Sequence, residues 1–170
     1  MKTDDDDVKG EEKWFHGPVE LDKLAMADEA DLRAMGAGYR APYLKKSAQE
    51  AVSRGGRSWL AQLADASKDR EKAKEELMVL HGVGPKVADC ILLYGLNKVD
   101  ACPVDVHVHA VAARAGVVPS GSKPSLASSQ KISEAFRTAF GKYAGWAQAI
   151  MFTSDLANSK VKTTAIDEPN

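Results

Sequence analysis

Two residues in this chain have the types and placement to do covalent chemistry on an electrophilic carbon. Lys86 lies in Leu80-His81-Gly82-Val83-Gly84-Pro85-Lys86-Val87-Ala88-Asp89-Cys90, and Asp105 lies in Pro103-Val104-Asp105-Val106-His107. A cation in the first turn of a helix is disfavoured by the helix dipole. Partly desolvated and close to other positive charge, such a lysine gives up its proton and becomes an amine nucleophile. An aspartate held by helix N–H groups stays ionised and can stabilise positive charge developing next to it. Residue types alone leave plainer roles open. Lys86 then reads as a surface cation, beside a phosphate or with no role, and Asp105 as a helix cap.

The turn that carries Lys86 has its own chemistry. Gly82 and Gly84 allow a sharp bend and a close approach of backbone to ligand. The helix that follows begins with unpaired N–H groups, which suit a phosphate oxygen. Pro85 removes one donor where it would have no helical partner. An ordinary turn between packed helices is the alternative for Gly82, Val83 and Gly84.

The elements that must position these groups are helical. Residues 19–27 give one short helix. Asp28 caps a second, which runs to Met35 and stops at Gly36. Pro42 starts a helix that Gly55-Gly56 ends, and Trp59, Leu60 and Leu63 form a short apolar turn. Ser67 is the expected N-cap of a helix reaching Leu80. The next helix begins at Pro85 and ends near Gly95, so the pair reads as a helix–hairpin–helix. Asp105 opens a helix over Val106–Ala115, residues 117–126 read as a loop, and helices at about 127–140 and 143–157 follow. No strand or internal repeat is visible, and the expected fold is an all-α helical bundle.

Composition bounds the function. The chain has 170 residues, a net charge of −1 and an apolar fraction of 44%, which suits one soluble domain. Residues 1–13 are expected to be a disordered acidic tail, 14–158 the folded domain and 159–170 a polar tail. The acidic start offsets an excess of Lys and Arg between Arg40 and Lys86, so a neutral total is compatible with a basic face. No apolar run is long enough to span a bilayer, and no signal-peptide pattern is present. Cys90 and Cys102 have no metal-ligand spacing, and a reducing intracellular setting follows. His107 and His109 point apart on a helix and have no third ligand, so no metal is expected there.

Leu80 to Cys90 and Pro103 to His107 resemble the helix–hairpin–helix and Gly/Pro-Asp signature of base-excision DNA glycosylases. Within that superfamily the chain is similar to the eukaryotic-type 8-oxoguanine DNA glycosylase/AP lyases. Gly38-Tyr39-Arg40-Ala41, Tyr43 and Tyr143-Ala144-Gly145-Trp146-Ala147-Gln148-Ala149 share the likeness, which runs from about residue 15 to 157. The resemblance implies excision of oxidised purines from double-stranded DNA by a monomer, with Lys86 as nucleophile, a Schiff base and β-elimination. It implies Asp105 as the stabilising carboxylate, and the backbone from Met78 to Gly84 as a phosphate grip. It places Cys90, Gln148, Phe152 and Tyr94 around the extruded base, with Tyr39 as wedge and Arg40 on the orphaned cytosine. His107 and Asp155 fall near the target phosphate, and the carbonyls of Met78, Leu80 and Val83 form a cation site. No cofactor is required, and two cysteines cannot build the Cys₄ iron–sulfur cluster of the endonuclease III branch. The expected location is the nucleus, with the mitochondrion second.

The chain departs from the family in two respects. Most members have a β-rich domain and an initial helical segment before the matched region, which supply a carbonyl that reads the oxidised base and an asparagine wedge. Weak selectivity for 8-oxoguanine over guanine is therefore expected. Tyr94 stands where the family more often has methionine. The rival reading is an incomplete or non-catalytic helix–hairpin–helix fragment that only grips DNA, with an apolar face exposed.

Overall fold

The computed structural model describes residue 17, residues 19–65 and residues 67–164, with side chains as far as Asp155. The acidic tail expected at residues 1–13 lies outside the described residues. The described residues are helical and contain no strand, as the all-α expectation requires. None of these helices is long and apolar enough to cross a membrane.

The order is α1 (Leu21–Met26), α2 (Glu29–Leu32), α3 (Ala41–Ser53), α4 (Gly56–Ala64), α5 (Arg70–Met78), α6 (Pro85–Cys90), α7 (Val106–Arg114), α8 (Leu126–Phe140) and α9 (Ala144–Thr164). Asp28 caps α2 by accepting from the Ala30 N–H at 2.8 Å. Gly36, at φ +91°, breaks the turn that leads to α3. α6 widens into a π-type turn over Ile91–Gly95.

Three expectations need correction. The N-cap of α5 is Asp69, whose side chain accepts from the Lys72 N–H at 3.0 Å. Ser67 instead donates to Asp65 within the preceding turn. The stretch around Trp59 is a nine-residue helix, α4, rather than a turn. Trp59 and Leu63, one helical turn apart, are both buried, so tertiary packing overrides the weak start at Gly55-Gly56. Finally, the backbone of α9 continues to Thr164, because neither glycine nor proline interrupts residues 146–164.

Two apolar cores hold these helices. The first gathers Trp59 and Leu63 from α4, Leu77 from α5, Leu80 from the hairpin, Leu92 and Leu93 from the π-type turn, and Leu96 after it. Leu63, Leu77 and Leu92 are wholly buried, and truncating any one to alanine would cost about 2–5 kcal/mol. The second joins Val108, Ala112, Val118 and Ile132, with Phe136 and Phe152 at its edge. The first core carries the hairpin and the second carries α7 and α9.

Candidate nucleic-acid and base-excision site

The turn between α5 and α6 is closed by the Val83 N–H donating to the Leu80 carbonyl at 3.0 Å. Gly82 has φ +80°, a conformation that favours glycine. A side chain at Gly82 would also meet the Tyr43 ring, whose Cγ lies 3.0 Å from where a Cβ would stand. Tyr43 therefore supports the bend from α3. A second support is Glu50, whose carboxylate accepts from the His81 N–H at 2.6 Å. The Tyr43 ring is tilted against His81 with centroids 5.3 Å apart and meets Tyr39 edge-on at 6.5 Å. Tyr39 and Arg40 are both exposed, and an aromatic line runs from them to the hairpin. Sequence reasoning missed Tyr43 and Glu50 as supports. Tyr43 lay inside a motif already noted, whereas Glu50 gave no local signal.

Pro85 opens α6 and Lys86 follows in its first turn, exposed to solvent. Among the described residues Lys86 has no ion-pair partner. Cys90 and Tyr94 follow on the same helical face, and Lys86 and Cys90 both act on the Tyr94 phenol. Burial raises the Tyr94 phenol above its usual range, the Cys90 thiol raises it further, and the Lys86 ammonium pulls it down. Tyr94 also meets Trp146 edge-on at 6.1 Å, which brings this face to α9. Two residues further along α9, Gln148 is 4% exposed, and its Oε1 accepts no hydrogen bond among the described residues. A buried amide oxygen without a donor is costly unless something supplies one.

Asp105 is the N-cap of α7. Its Oδ1 accepts from the N–H groups of His107 at 3.0 Å and Val108 at 2.9 Å, which fixes the carboxylate. Lys86 and Val104 line one cleft, and Asp105 is the next residue after Val104. No ion pair joins Lys86 to Asp105. Phe152 packs at the edge of the second core and meets the His107 ring at 6.2 Å, so α7 and α9 converge there. Asp155 forms an ion pair with Arg114 of α7, a partner the sequence did not suggest.

The same cleft has a volume of about 600 Å³ and includes Lys74, Asp89 and Arg137. Asp89 is 5% exposed and bound to Lys74 at 2.7 Å. Burial raises its carboxyl above the ordinary range, and the Lys74 hydrogen bond and charge pull it back. Among the described residues, no cluster of His, Cys, Asp and Glu has the makings of a metal site. The Leu80 carbonyl accepts one hydrogen bond and keeps one acceptor position for a cation, so the turn is compatible with that expectation.

Comparison with known proteins decides the family. Residues 8–138 match the HhH-GPD superfamily base excision DNA repair proteins. The chain belongs to the HhH-GPD superfamily. It is 36% identical over 167 residues to the N-glycosylase/DNA lyase OGG1 of Arabidopsis thaliana, covering 96% of this chain and 44% of that protein. It is 32% identical over 170 residues to the N-glycosylase/DNA lyase of Saccharomyces cerevisiae, covering 86% of this chain and 45% of that one. The fold is similar to the Clostridium acetobutylicum 8-oxoguanine glycosylase/lyase in complex with double-stranded DNA containing cytosine opposite 8-oxoG. That likeness has a TM-score of 0.67 and 34% identity, over 82% of this chain and 44% of that one. The HhH-GPD chain thus spans less than half the length of the curated relatives it matches.

Proposed function

We propose that this chain is a base-excision DNA N-glycosylase with AP lyase activity on oxidised purines such as 8-oxoguanine, with residues 14–158 as its catalytic unit. The observation that carries the proposal is the helical face of Lys86, Cys90 and Tyr94, joined through Trp146 to the helix of Gln148, whose buried amide oxygen has no donor among the described residues. The reading requires the nucleophile and the base-reading group to face one extruded nucleotide. The activities for which the relatives are named, N-glycosylase and DNA lyase, support the same reading.

The chemistry follows from the groups. The Lys86 amine attacks C1′ of an extruded nucleotide, the C1′–N bond breaks, and its electron pair leaves with the base, which takes up a proton. The Asp105 carboxylate, immobilised by two N–H donors, stabilises the positive charge that develops on the sugar. The sugar ring opens to a Schiff base. Loss of a C2′ proton then breaks the C3′–O bond and cuts the strand 3′ to the lesion. Lys86 is exposed in the structure, where bound nucleic acid can reach it.

Recognition uses the remaining groups. The Gln148 amide reads an edge of the base, Phe152 stacks on one side, and Cys90 and Tyr94 close the other. The hairpin over Gly82, Val83 and Gly84 takes a backbone phosphate through the Gly82 and Gly84 N–H groups, while the Val83 N–H closes the turn onto Leu80. Tyr39 wedges into the duplex and Arg40 bonds to the orphaned partner base, offsetting the few kcal/mol that flipping costs. His107 and Asp155 lie near the target phosphate. All of these groups come from one chain, which acts as a monomer on double-stranded DNA.

The test is borohydride trapping on three duplexes in parallel: an abasic site, an 8-oxoguanine:cytosine pair and undamaged DNA. The unaltered chain should give a covalent adduct on the abasic site, and Lys86→Gln should abolish it. Binding to duplex with no adduct from the unaltered chain would favour a DNA-gripping module and reject the catalytic reading.

A further inference from the structure

We infer that Lys74 and Asp89 are a positioning pair that sets the direction of Lys86, an inference that rests on the reading of Lys86 as the nucleophile. Lys74 lies in the middle of α5, and Asp89 lies one turn after Lys86 in α6. These helices are the two arms of the hairpin, and the pair bridges them at 2.7 Å. Around it the arms meet through Ala73, Leu77, Ala88 and Leu92. Contacts between alanine and leucine are non-directional and let one helix roll on the other. A charge-assisted hydrogen bond has a direction and resists that roll.

The pair is placed to act on geometry more than on stability. Asp89 is 5% exposed, and a pair this deep costs so much desolvation that apolar residues of equal volume are often as stable or more so. Its yield is orientation. The Lys86 amine ends a flexible four-carbon stem, so a small roll of α6 displaces it far more than it displaces the helix axis. Attack at C1′ is sensitive to displacements of about 1 Å. Lys74, Asp89 and Lys86 line the same cleft. Arg70, tied to Asp100 at 2.9 Å, also acts on Asp89 and keeps some compensation for its charge. Removing Lys74 therefore removes a direction before it removes all charge balance.

Three variants separate orientation from stability: Lys74→Met, Lys74→Arg, and Lys74→Met combined with Asp89→Leu. The readouts are the single-turnover trapping rate at saturating abasic-site DNA, the Kd for that DNA, and thermal melting. K74M should trap about tenfold more slowly while Kd changes less than about twofold, because positioning is lost and phosphate contacts are kept. K74R should recover most of the rate. The double variant should melt at or above the unaltered temperature and remain slow. If K74M does not fold, the double variant, which leaves no orphaned charge, carries the test. A double variant that traps at the unaltered rate would overturn the inference and leave Lys86 as nucleophile untouched. No adduct from the unaltered chain would overturn the catalytic reading and this inference with it.

Discussion

Between Leu80 and Lys86 the backbone is held by polar and aromatic contacts from several elements, whereas the start of α9 is seated by close packing at one glycine. The hairpin has the Tyr43 ring beneath Gly82, the Glu50 carboxylate on the His81 N–H, and the Lys74–Asp89 pair across its arms. α9 instead brings Gly145 against the chain at residues 99–101, where its N–H donates to the Val99 carbonyl at 3.0 Å. Beyond that contact α9 turns an apolar face outward, with Ile150 and Met151 exposed. The contrast separates aiming from anchoring. Polar and aromatic supports fix a direction near the proposed nucleophile, while steric fit fixes only where a helix lies.

Breaking the anchor should have the largest effect. A Cβ at Gly145 would stand 2.1 Å from the Ala101 carbonyl oxygen and 2.8 Å from both the Val99 carbonyl oxygen and Leu93 Cδ1. Two of these atoms are backbone and cannot move aside cheaply. Gly145→Ala should cost about 3 kcal/mol or more, which for a chain of this size lowers Tm by roughly 10 °C. Melting followed by circular dichroism decides it. An unchanged Tm would mean that α9 is not seated by this contact.

At the hairpin a glycine change should cost less in stability and more in function. Gly82→Ala forces a side chain into φ +80° and against the Tyr43 ring, whose atoms can tilt away. About 2 kcal/mol of destabilisation is expected. Duplex binding should weaken by about tenfold, roughly the worth of one phosphate contact. If binding to abasic-site duplex fell no further for this variant than for a variant of equal stability loss elsewhere, the hairpin would not be the phosphate grip.

The same contrast explains what the sequence made legible. The Asp105 cap and the glycine bend could be read because they depend on local spacing, whereas the role given to Lys86 came from resemblance. The Asp105 cap and the closure of α7 at Gly116 appear where the residue types require them. The Lys74–Asp89 pair could not be read, because two charged residues on helices with mixed charge look like a solvated face until the helices are packed. Glu50 was hidden for a similar reason, since its partner is a backbone N–H 31 residues away. Ser67 misled because Ser and Asp are near-equal caps, and the nearby Asp69 takes that role in the structure. The roles of Gln148 and Phe152 came from resemblance, and their burial pattern by itself describes an amide and an aromatic beside a core.

A pH experiment probes the floor beneath α9 more gently. Cys102 is 1% exposed between α8 and α9, and burial pushes its thiol up to about 12. Below pH 9 the thiol is protonated in folded and unfolded chains alike, and its contribution is fully present. Above that, the unfolded chain ionises while the folded one holds its proton, so stability is lost as pH rises toward 12. The loss should be about 1.4 kcal/mol for each pH unit. Cys102→Ala should remove this slope, and Tm measured from about pH 8 to 10.5 for both chains should converge as pH rises. Parallel curves would show that Cys102 is not sealed under α9.

The smallest effect on stability is expected on the apolar face. Phe140 and Met151 join two apolar troughs, of about 180 and 450 Å³, that run over α8 and α9. Ile150 lies on this surface and is 69% exposed. Since it buries little, Ile150→Lys should change stability by less than about 0.5 kcal/mol. An exposed apolar patch is sticky, however, and one added charge at its centre should reduce concentration-dependent association. Light scattering across a dilution series reads that change, and melting reads the constancy of the fold. A large drop in Tm for this variant would erase the contrast, because it would show that the folded chain depends on the outward face of α9 no less than on the face that carries Gly145.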